Sequence, residues 1–469
     1  MISVLFYSTY PIYKKAFTKH TNISQRFGGT IMKKIITILL VLMLITPITS
    51  QASIIYVVKP GDTLYQISQQ YDVNPNEISK INGITGDQLV PGQSLVLNTD
   101  QYIGEDNESF LEIANRHQLS IFHLLQHNDF NALINPAGKK ITIPKPQKSD
   151  ITISSFASPS DIADGISGRK YNFLNQIAAF EYHPDEQGHL SQLDQMESFK
   201  NILWRNDVTP FVTVTNISDK GFDPHLAREL LKSDKKTKVL INDIYNKLNE
   251  FDLKGVVIDF EGLAPKDRPL FNQFIKKLTN KLQPAGMKVA IAVPPLQSDR
   301  SPSWNAAYDY KTLGHYVDFI FLMTYDWHWR GGEPGPIAPI NQVEKTLDYA
   351  ASVMPKDKII LGIPLYAYDW PSLWPLNIGT GQAQAYSQHK AIEKALKHGS
   401  PIHYDAQSET PWFIYKDEHG FKHEVWFEDA RSLLAKYEMV KKFDIRGIGG
   451  WQMMFNFPQS EHLIIEYFN

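Results

Sequence analysis

The chain of 469 residues contains no cysteine. This absence excludes disulfide bonds, thiol nucleophiles and cysteine-ligated zinc, but it does not identify the redox compartment, because exported bacterial proteins often lack disulfides. An excess of charge of one sign is also missing, since the formal net charge is −3 at pH 7. We therefore expect no nucleic acid partner and no anionic membrane surface. The histidines His328, His403 and His423 have no metal-ligand spacing, so neither a metal nor a cofactor is expected.

A hydrophobic run long enough to span a membrane is also absent near the N-terminus. The apolar run Ile35–Ile45 is shorter than the roughly 20 residues that a spanning helix needs. It follows a basic segment that starts at Met32, and small residues lead up to Ala52, which is typical of a secretory signal peptide. We expect translation to start at Met32, residues 1–31 to be an over-extended reading frame, and cleavage after Ala52. The alternative is an uncleaved membrane anchor.

Two internal repeats follow the predicted signal peptide. Residues 56–97 align without gaps with residues 102–143, at a constant spacing of 46. Each repeat has the pattern of a strand, two helices and a second strand. The length of the chain and this repetition predict several domains: a first repeat at 54–98, a second at 100–144, a linker at 145–150 and a large domain at 151–469.

Two segments of the first repeat, YVVKPGDTLYQIS and LVPGQSLVLN, resemble the LysM domain, which makes residues 54–98 LysM 1 and residues 100–144 a degenerate LysM 2. That resemblance implies binding to glycans that contain N-acetylglucosamine, such as peptidoglycan or chitin. The second repeat lacks the Pro-Gly-Asp-Thr-Leu turn and has Asp106 to Phe110 in its place. Glycan binding by the second copy therefore stays open, and the alternative is that both copies are structural spacers.

The large domain alternates hydrophobic runs with amphipathic helical patterns, which predicts an α/β fold. Eight such units predict a (β/α)8 TIM barrel. The predicted strands are Ile151–Phe156, Gln176–Phe180, Thr209–Val214, Gly255–Phe260, Lys288–Val293, Phe319–Thr324, Lys358–Ile363 and Gly447–Trp451. The long interval between strands seven and eight, about residues 369–424, predicts a small α+β insertion that forms one wall of a cleft.

The stretch GVVIDFEGL, residues 255–263, brings two carboxylates to the end of the fourth strand. Asp259 and Glu261 are two residues apart, so in a strand their side chains point the same way. The C-terminal ends of barrel strands are where active sites lie. The structural alternative makes Asp259 a helix cap and Glu261 a solvated surface residue.

Aromatic and polar residues follow other strands of the predicted barrel. Rings around carboxylates suit sugars, whose C–H faces stack on aromatics while their hydroxyls need polar partners. The alternative for Met323, Tyr325 and Trp451 is ordinary core packing. The residues that we expect at this mouth are Tyr182, Met323, Tyr325, Asp326, Trp327, Tyr366, Trp426 and Trp451.

The segments VVIDFEG, LMTYDW, LGIPLYAY and GIGGWQM, in this order, resemble glycoside hydrolase family 18 over the whole large domain. Two departures stand out. The four acids of the family pattern here read Lys254, Val257, Asp259 and Glu261, and the third strand ends in VTVTN where chitinases have Ser-x-Gly-Gly. In both, the chain resembles the LysM-bearing bacterial spore cortex-lytic N-acetylglucosaminidases more than chitinases.

This resemblance implies substrate-assisted hydrolysis, in which the acetamido group of the sugar is the nucleophile. Glu261 is then the general acid and base, Asp259 holds the acetamido N–H, and Tyr325 holds its carbonyl. Trp451 forms the floor of the reacting subsite, while Tyr182, Met323 and Asp326 line it, and Trp327, Tyr366 and Trp426 are further substrate-binding candidates. The predicted function is hydrolysis of peptidoglycan or spore cortex by a secreted, wall-associated monomer. The alternatives are a chitinase and a catalytically silent lectin.

Overall fold

The computed structural model describes residues 52–117, 119–165, 171, 173–299, 304–372, 382–455 and 457–468. The predicted signal peptide, apart from Ala52, lies outside these residues. No helix in the described ranges has both the length and the apolar character needed to cross a membrane.

The strands are β1 (Ile54–Val57), β2 (Ser94–Leu97), β3 (Gln101–Ile103), β4 (Lys140–Thr142), β5 (Thr152–Ala157), β6 (Gln176–Tyr182), β7 (Thr209–Thr215), β8 (Ile217–Ser218), β9 (Gly221–Phe222), β10 (Gly255–Asp259), β11 (Lys288–Val293), β12 (Phe319–Leu322), β13 (Ile359–Pro364), β14 (Tyr366–Ser372), β15 (Gln384–Ser387), β16 (His403–Asp405), β17 (Thr410–Lys416), β18 (Lys422–Trp426) and β19 (Gly447–Trp451).

The α-helices are α1 (Leu64–Tyr71), α2 (Pro75–Asn82), α3 (Phe110–Arg116), α4 (Ile121–His127), α5 (Phe130–Ile134), α6 (Pro159–Ala163), α7 (Met196–Arg205), α8 (Pro224–Lys232), α9 (Asp234–Glu250), α10 (Arg268–Leu282), α11 (Tyr310–Tyr316), α12 (Ile340–Val353), α13 (Gln388–His398), α14 (Ala430–Phe443) and α15 (Pro458–Tyr467).

The two N-terminal repeats have matching hydrogen bonds at matching positions. In the first repeat, the side chain of Asn82 donates to the carbonyls of Ile78 and Val96, both at 2.8 Å, and accepts from the N–H of Val96 at 2.7 Å. Asn128 makes the three equivalent bonds in the second repeat. Each asparagine thus ties its second helix to its last strand. The two repeats also share one hydrophobic core, to which Tyr56 and Tyr102 both belong.

The eight predicted strands of the large domain are confirmed as one closed parallel barrel. The order around it is β10-β11-β12-β13-β19-β5-β6-β7. Its strands read as continuous apolar runs because both faces are covered. In β10, Val256 and Ile258 belong to the layer between strands and helices, whereas Val257 belongs to the barrel interior. Four phenylalanines fill most of that interior: Phe156, Phe211, Phe319 and Phe321.

The insertion between the last two barrel strands is a five-stranded antiparallel sheet with the order β15-β14-β18-β17-β16, together with α13. It extends from Tyr366 to Trp426, slightly beyond the predicted range. Asp369 lies buried in it and accepts hydrogen bonds from Tyr386, Lys394, Tyr415 and His423. Burial alone would raise the pKa of Asp369, but the bonds from His423, Lys394 and Tyr415 outweigh it and lower the pKa to about 2.

The first repeat is joined to the barrel by buried polar contacts. The side-chain amide of Gln459, on α15, donates to Asn82 Oδ1 and to the carbonyl oxygen of Ser94, both at 2.8 Å. The N–H of Ile402, in the insertion, donates to the carbonyl oxygen of Pro91 at 2.9 Å. Buried polar groups need such partners. The first repeat therefore has one fixed position on the barrel.

Candidate active site

The turn after β10 carries Glu261 and is held in place by contacts with the helical layer. Phe260 points away from the mouth, and its ring stacks on Phe274 of α10 with centroids 5.7 Å apart. The carbonyl oxygen of Phe260 accepts a hydrogen bond from the Tyr308 hydroxyl at 2.6 Å. Asp259 is buried as the last residue of the strand. The two carboxylates therefore lie on a turn whose backbone is held by the helical layer.

The main chain of Glu261 is also held from the neighbouring strand. Asn216, directly after β7, accepts from the N–H of Glu261 at 2.8 Å and donates to its carbonyl oxygen at 2.9 Å. Asn216 is fully buried. The parallel register places Thr215 opposite Asp259, which aligns the two strand ends. In the sequence, VTVTN was visible only as a departure from the family pattern. The one signal for the role of Asn216 was its position as a polar residue directly after a predicted barrel strand.

The two carboxylates of this turn favour their protonated forms. Burial, together with the negative charge of Asp326, raises the pKa of Glu261 to about 7. Burial also raises the pKa of Asp259 well above its ordinary value, with further contributions from the charges of Glu261 and Glu181. Close carboxylates in a low dielectric do not ionise together readily. The pair therefore provides an acid that is still protonated near neutral pH, as general acid catalysis requires.

Asp326, after β12, is fixed by two tyrosine hydroxyls. Tyr366 donates to Oδ1 at 2.5 Å and Tyr368 donates to Oδ2 at 3.3 Å. Both tyrosines come from β14, the first strand of the insertion. The ring of Tyr325 meets that of Tyr366 edge-on at 6.2 Å. Tyr366 is buried, so it contributes through Asp326 rather than as an exposed sugar-stacking ring.

Trp451, at the end of β19, is half-buried where the barrel interior meets the insertion. Its ring packs edge-on against Phe180 at 4.7 Å and against Phe156 at 5.3 Å. Tyr325 also packs against both the barrel interior and the insertion, whereas Met323 packs against the barrel interior. The mouth thus combines two carboxylates with Asp326, Tyr325, Trp451 and Met323.

The predicted position of Tyr182 is wrong. The pairing of β6 with β7 is irregular between Ala179 and Tyr182, which changes the side to which the following residues point. Tyr182 is consequently buried in the outer layer, with the amine of Lys247 6.0 Å from its ring centre. Glu181 faces the acid pair instead, and it accepts from the Thr215 hydroxyl at 2.8 Å. Glu181 is a site residue that the sequence patterns missed.

Two tryptophans that were predicted to bind substrate serve in packing. Trp327 packs against the outer layer of the barrel, and its main-chain N–H donates to the carbonyl oxygen of Ile337 at 3.1 Å. Trp426 is only 8% exposed and stacks on Trp412 at 5.5 Å inside the insertion. Its indole N–H donates to Glu424 at 2.9 Å. Trp426 therefore builds the wall behind the mouth and offers little surface to a ligand.

A parallel barrel whose C-terminal mouth holds two neighbouring carboxylates, together with the rings of Tyr325 and Trp451, has the features of a glycoside hydrolase. Residues 151–456 match the family described as Glycosyl hydrolases family 18, and this chain belongs to that family. Residues 56–98 match the LysM domain.

The chain is similar over most of its length to proteins of Bacillus. It is 35% identical to YdhD of Bacillus subtilis (strain 168), covering 88% of this chain and 98% of YdhD. It is 33% identical to the cortical fragment-lytic enzyme of Bacillus anthracis, with the same coverage. The crystal structure of the spore cortex-lytic enzyme SleL of Bacillus cereus is 32% identical and superposes with a TM-score of 0.81, covering 89% of this chain and 98% of SleL.

Proposed function

We propose that this chain is an exported hydrolase that cleaves β-1,4-linked N-acetylglucosaminyl bonds of spore cortex or other peptidoglycan. The observation that carries this proposal is the pair Asp259 and Glu261 at the barrel mouth, where burial keeps an acid protonated near neutral pH. Cortex is the first choice because the chain spans nearly the whole length of two relatives named for acting on it.

In the proposed reaction, Glu261 gives its proton to the glycosidic oxygen while the bond to the anomeric carbon breaks. The carbonyl oxygen of the 2-acetamido group attacks that carbon from the other face and forms a cyclic oxazolinium ion. Glu261, now a carboxylate, takes a proton from a water molecule that opens this ring. Two inversions at one carbon give net retention.

Asp259 stabilises the ring-closing step in this proposal. Its Oδ1 is buried and has no hydrogen-bond partner among the described residues, so it has the capacity to accept the acetamido N–H. In this step the pair holds one proton, which is on Glu261, so Asp259 is a carboxylate and its negative charge offsets the charge of the oxazolinium ion. Tyr325 orients the acetamido carbonyl, and Trp451 supports the face of the reacting sugar. Met323 and Asp326 line that subsite, while Tyr366 and Tyr368 hold Asp326 in place.

The remaining parts of the chain serve delivery and attachment. We infer that export removes residues up to Ala52, that residues 54–98 attach the enzyme to wall glycan, and that residues 100–144 form a second, degenerate LysM unit. Residues 145–150 link this second unit to the barrel domain at 151–469. The proposed working form is a wall-associated or spore-associated monomer.

The test is product analysis by mass spectrometry after incubating residues 53–469 with purified cortex, vegetative wall and chitin. Fragments with a reducing N-acetylglucosamine from cortex or wall are the expected result, and release from chitin alone would identify a chitinase. Glu261→Gln should abolish release while binding to the insoluble glycan persists. Binding without release by the unmodified chain would identify a lectin.

A further inference from the structure

Ser53, the second described residue, contacts the last helix of the barrel. The main-chain N–H of Ser53 donates to Glu466 Oε1 at 2.6 Å, and Ser53 Oγ lies 2.8 Å from His462 Nε2. Glu466 and His462 both lie on α15. An N···O distance of 2.6 Å is shorter than the roughly 2.9 Å usual for a neutral amide donor. The contact thus resembles those made to ionised groups, which are shorter and stronger.

Glu466 is a buried carboxylate with few hydrogen-bonding partners. It is 7% exposed, and its Oε2 makes no hydrogen bond among the described residues. The imidazole Nε2 of His462 lies 3.6 Å from Oε2, and no lysine or arginine forms an ion pair with Glu466 in the part of the chain that the structure describes. Buried charges are normally paired with an opposite charge. One amide N–H does not provide that charge.

Ser53 is also the residue that follows the predicted cleavage site after Ala52. Hydrolysis of the Ala52–Ser53 peptide bond by a signal peptidase adds one water molecule across it. The carboxylate leaves with the signal peptide, and the nitrogen of Ser53 becomes a protonated α-amino group. That group carries a positive charge and three N–H donors where the intact chain has one. It would form where the nitrogen already contacts Glu466.

We propose that Glu466 and His462 form a docking site for the α-ammonium group of the chain processed after Ala52. The new ion pair joins the first strand of the first repeat to the last helix of the barrel. Processing therefore strengthens the contact between the two domains. The proposal presupposes export with cleavage after Ala52 and is independent of glycan hydrolysis, so the two are tested separately.

The reactivity of the terminal amine tests this directly. A chain starting at Ser53, released from an N-terminal fusion, is treated at pH 8 with an acylating reagent, and the terminal peptide is quantified by mass spectrometry. At pH 8, an ion pair that raises an α-amino pKa of about 8 by about one unit lowers the unprotonated, reactive fraction about fivefold. We expect acylation of the Ser53 amine to be about fivefold slower in the unmodified chain than in Glu466→Gln. Equal rates would overturn the proposal.

A comparison of the chain starting at Ser53 with a chain starting at Ala52 keeps the test valid if Glu466→Gln folds poorly. A chain that starts at Ala52 keeps Glu466 but moves its α-amino group one residue away. We expect its amine to react at the ordinary rate and its thermal midpoint to lie below that of the chain starting at Ser53. Equal thermal midpoints and equal acylation rates in the two chains would refute the docking site. An exported protein whose intact mass shows a first residue other than Ser53 would refute it as well.

Discussion

Asn216 binds both main-chain polar groups of Glu261, accepting from its N–H at 2.8 Å and donating to its carbonyl at 2.9 Å. The residue that carries the proposed acid thus has its backbone fixed by a buried side chain from a different strand. Glu261 lies beyond the end of β10, where the ladder between strands no longer provides these bonds. The side chain of Asn216 provides the two hydrogen bonds that a neighbouring strand would otherwise make.

Replacement of Asn216 by alanine should lower kcat much more than it changes KM. The variant leaves two backbone groups of Glu261 unpaired, so the turn shifts, and a displacement of about 1 Å at a reacting group costs on the order of 100-fold in rate. The measurement is steady-state kinetics on a soluble glycan. Thr213→Val is the matched control, because Thr213 is buried on the same strand and its hydroxyl has no hydrogen-bond partner among the described residues. A kcat equally reduced in both variants would contradict a positioning role for Asn216.

Replacement of Asp326 by asparagine should move the pH profile of kcat/KM to lower pH. The charge of Asp326 helps to raise the pKa of Glu261 to about 7. Without that charge Glu261 loses its proton at a lower pH, so the alkaline limb of the profile falls earlier. The comparison is kcat/KM from pH 4 to 9 for both proteins. Asp348→Asn, at an exposed position on α12, is the control and should leave the profile in place. An unmoved alkaline limb in Asp326→Asn would show that this charge does not act on Glu261.

The raised pKa of Glu261 makes the stability of the protein depend on pH. The folded-state pKa of about 7 lies above the ordinary value of 4.5. The stabilisation linked to this proton is therefore complete below pH 4.5 and is lost as the pH rises through 7. Glu261→Gln cannot ionise, so it should become more stable than the unmodified chain as the pH is raised from 5 to 8. Thermal midpoints at both pH values measure this, and parallel pH dependences would exclude it.

The buried ion pair of Lys436 with Glu428 should be sensitive to loss of one partner. Their side chains are 1% exposed and 2.8 Å apart. Removing one charge leaves the other buried alone, which costs about 3–5 kcal/mol. Lys436→Met should therefore lower the midpoint of chemical denaturation strongly. The control is Lys232→Met, which removes a similar but exposed pair with Glu229 and should cost at most about 1 kcal/mol. Similar losses in the two variants would argue against a special role for burial.

Local sequence patterns were sufficient to predict the barrel and its acid pair. Continuous aliphatic runs such as that of β10 identify strands covered on both faces, and the strand end places Asp259 and Glu261 at the mouth. The error at Tyr182 has a different origin. An irregular pairing between β6 and β7 reverses the side to which Tyr182 points, and such irregularities leave no mark in the hydrophobic pattern.

Asn216 and Glu181 could not be assigned for a related reason. Their partners, Glu261 and Thr215, are distant in the sequence and come close only through the register of neighbouring parallel strands. A strand pattern predicts which residues are buried but not how far one strand is shifted along the next. The two missed residues are therefore those whose role depends on contacts between strands.

The buried contacts of Gln459 with Asn82 and Ser94 have a consequence for how the enzyme meets an insoluble polymer. When the first repeat holds one stretch of glycan, no flexible protein tether separates that stretch from the cleft. The effective concentration of the next cleavable bond is then set by the stiffness of the glycan strand itself. A glycan lattice of regular geometry would accordingly be cut at preferred distances from each attachment point.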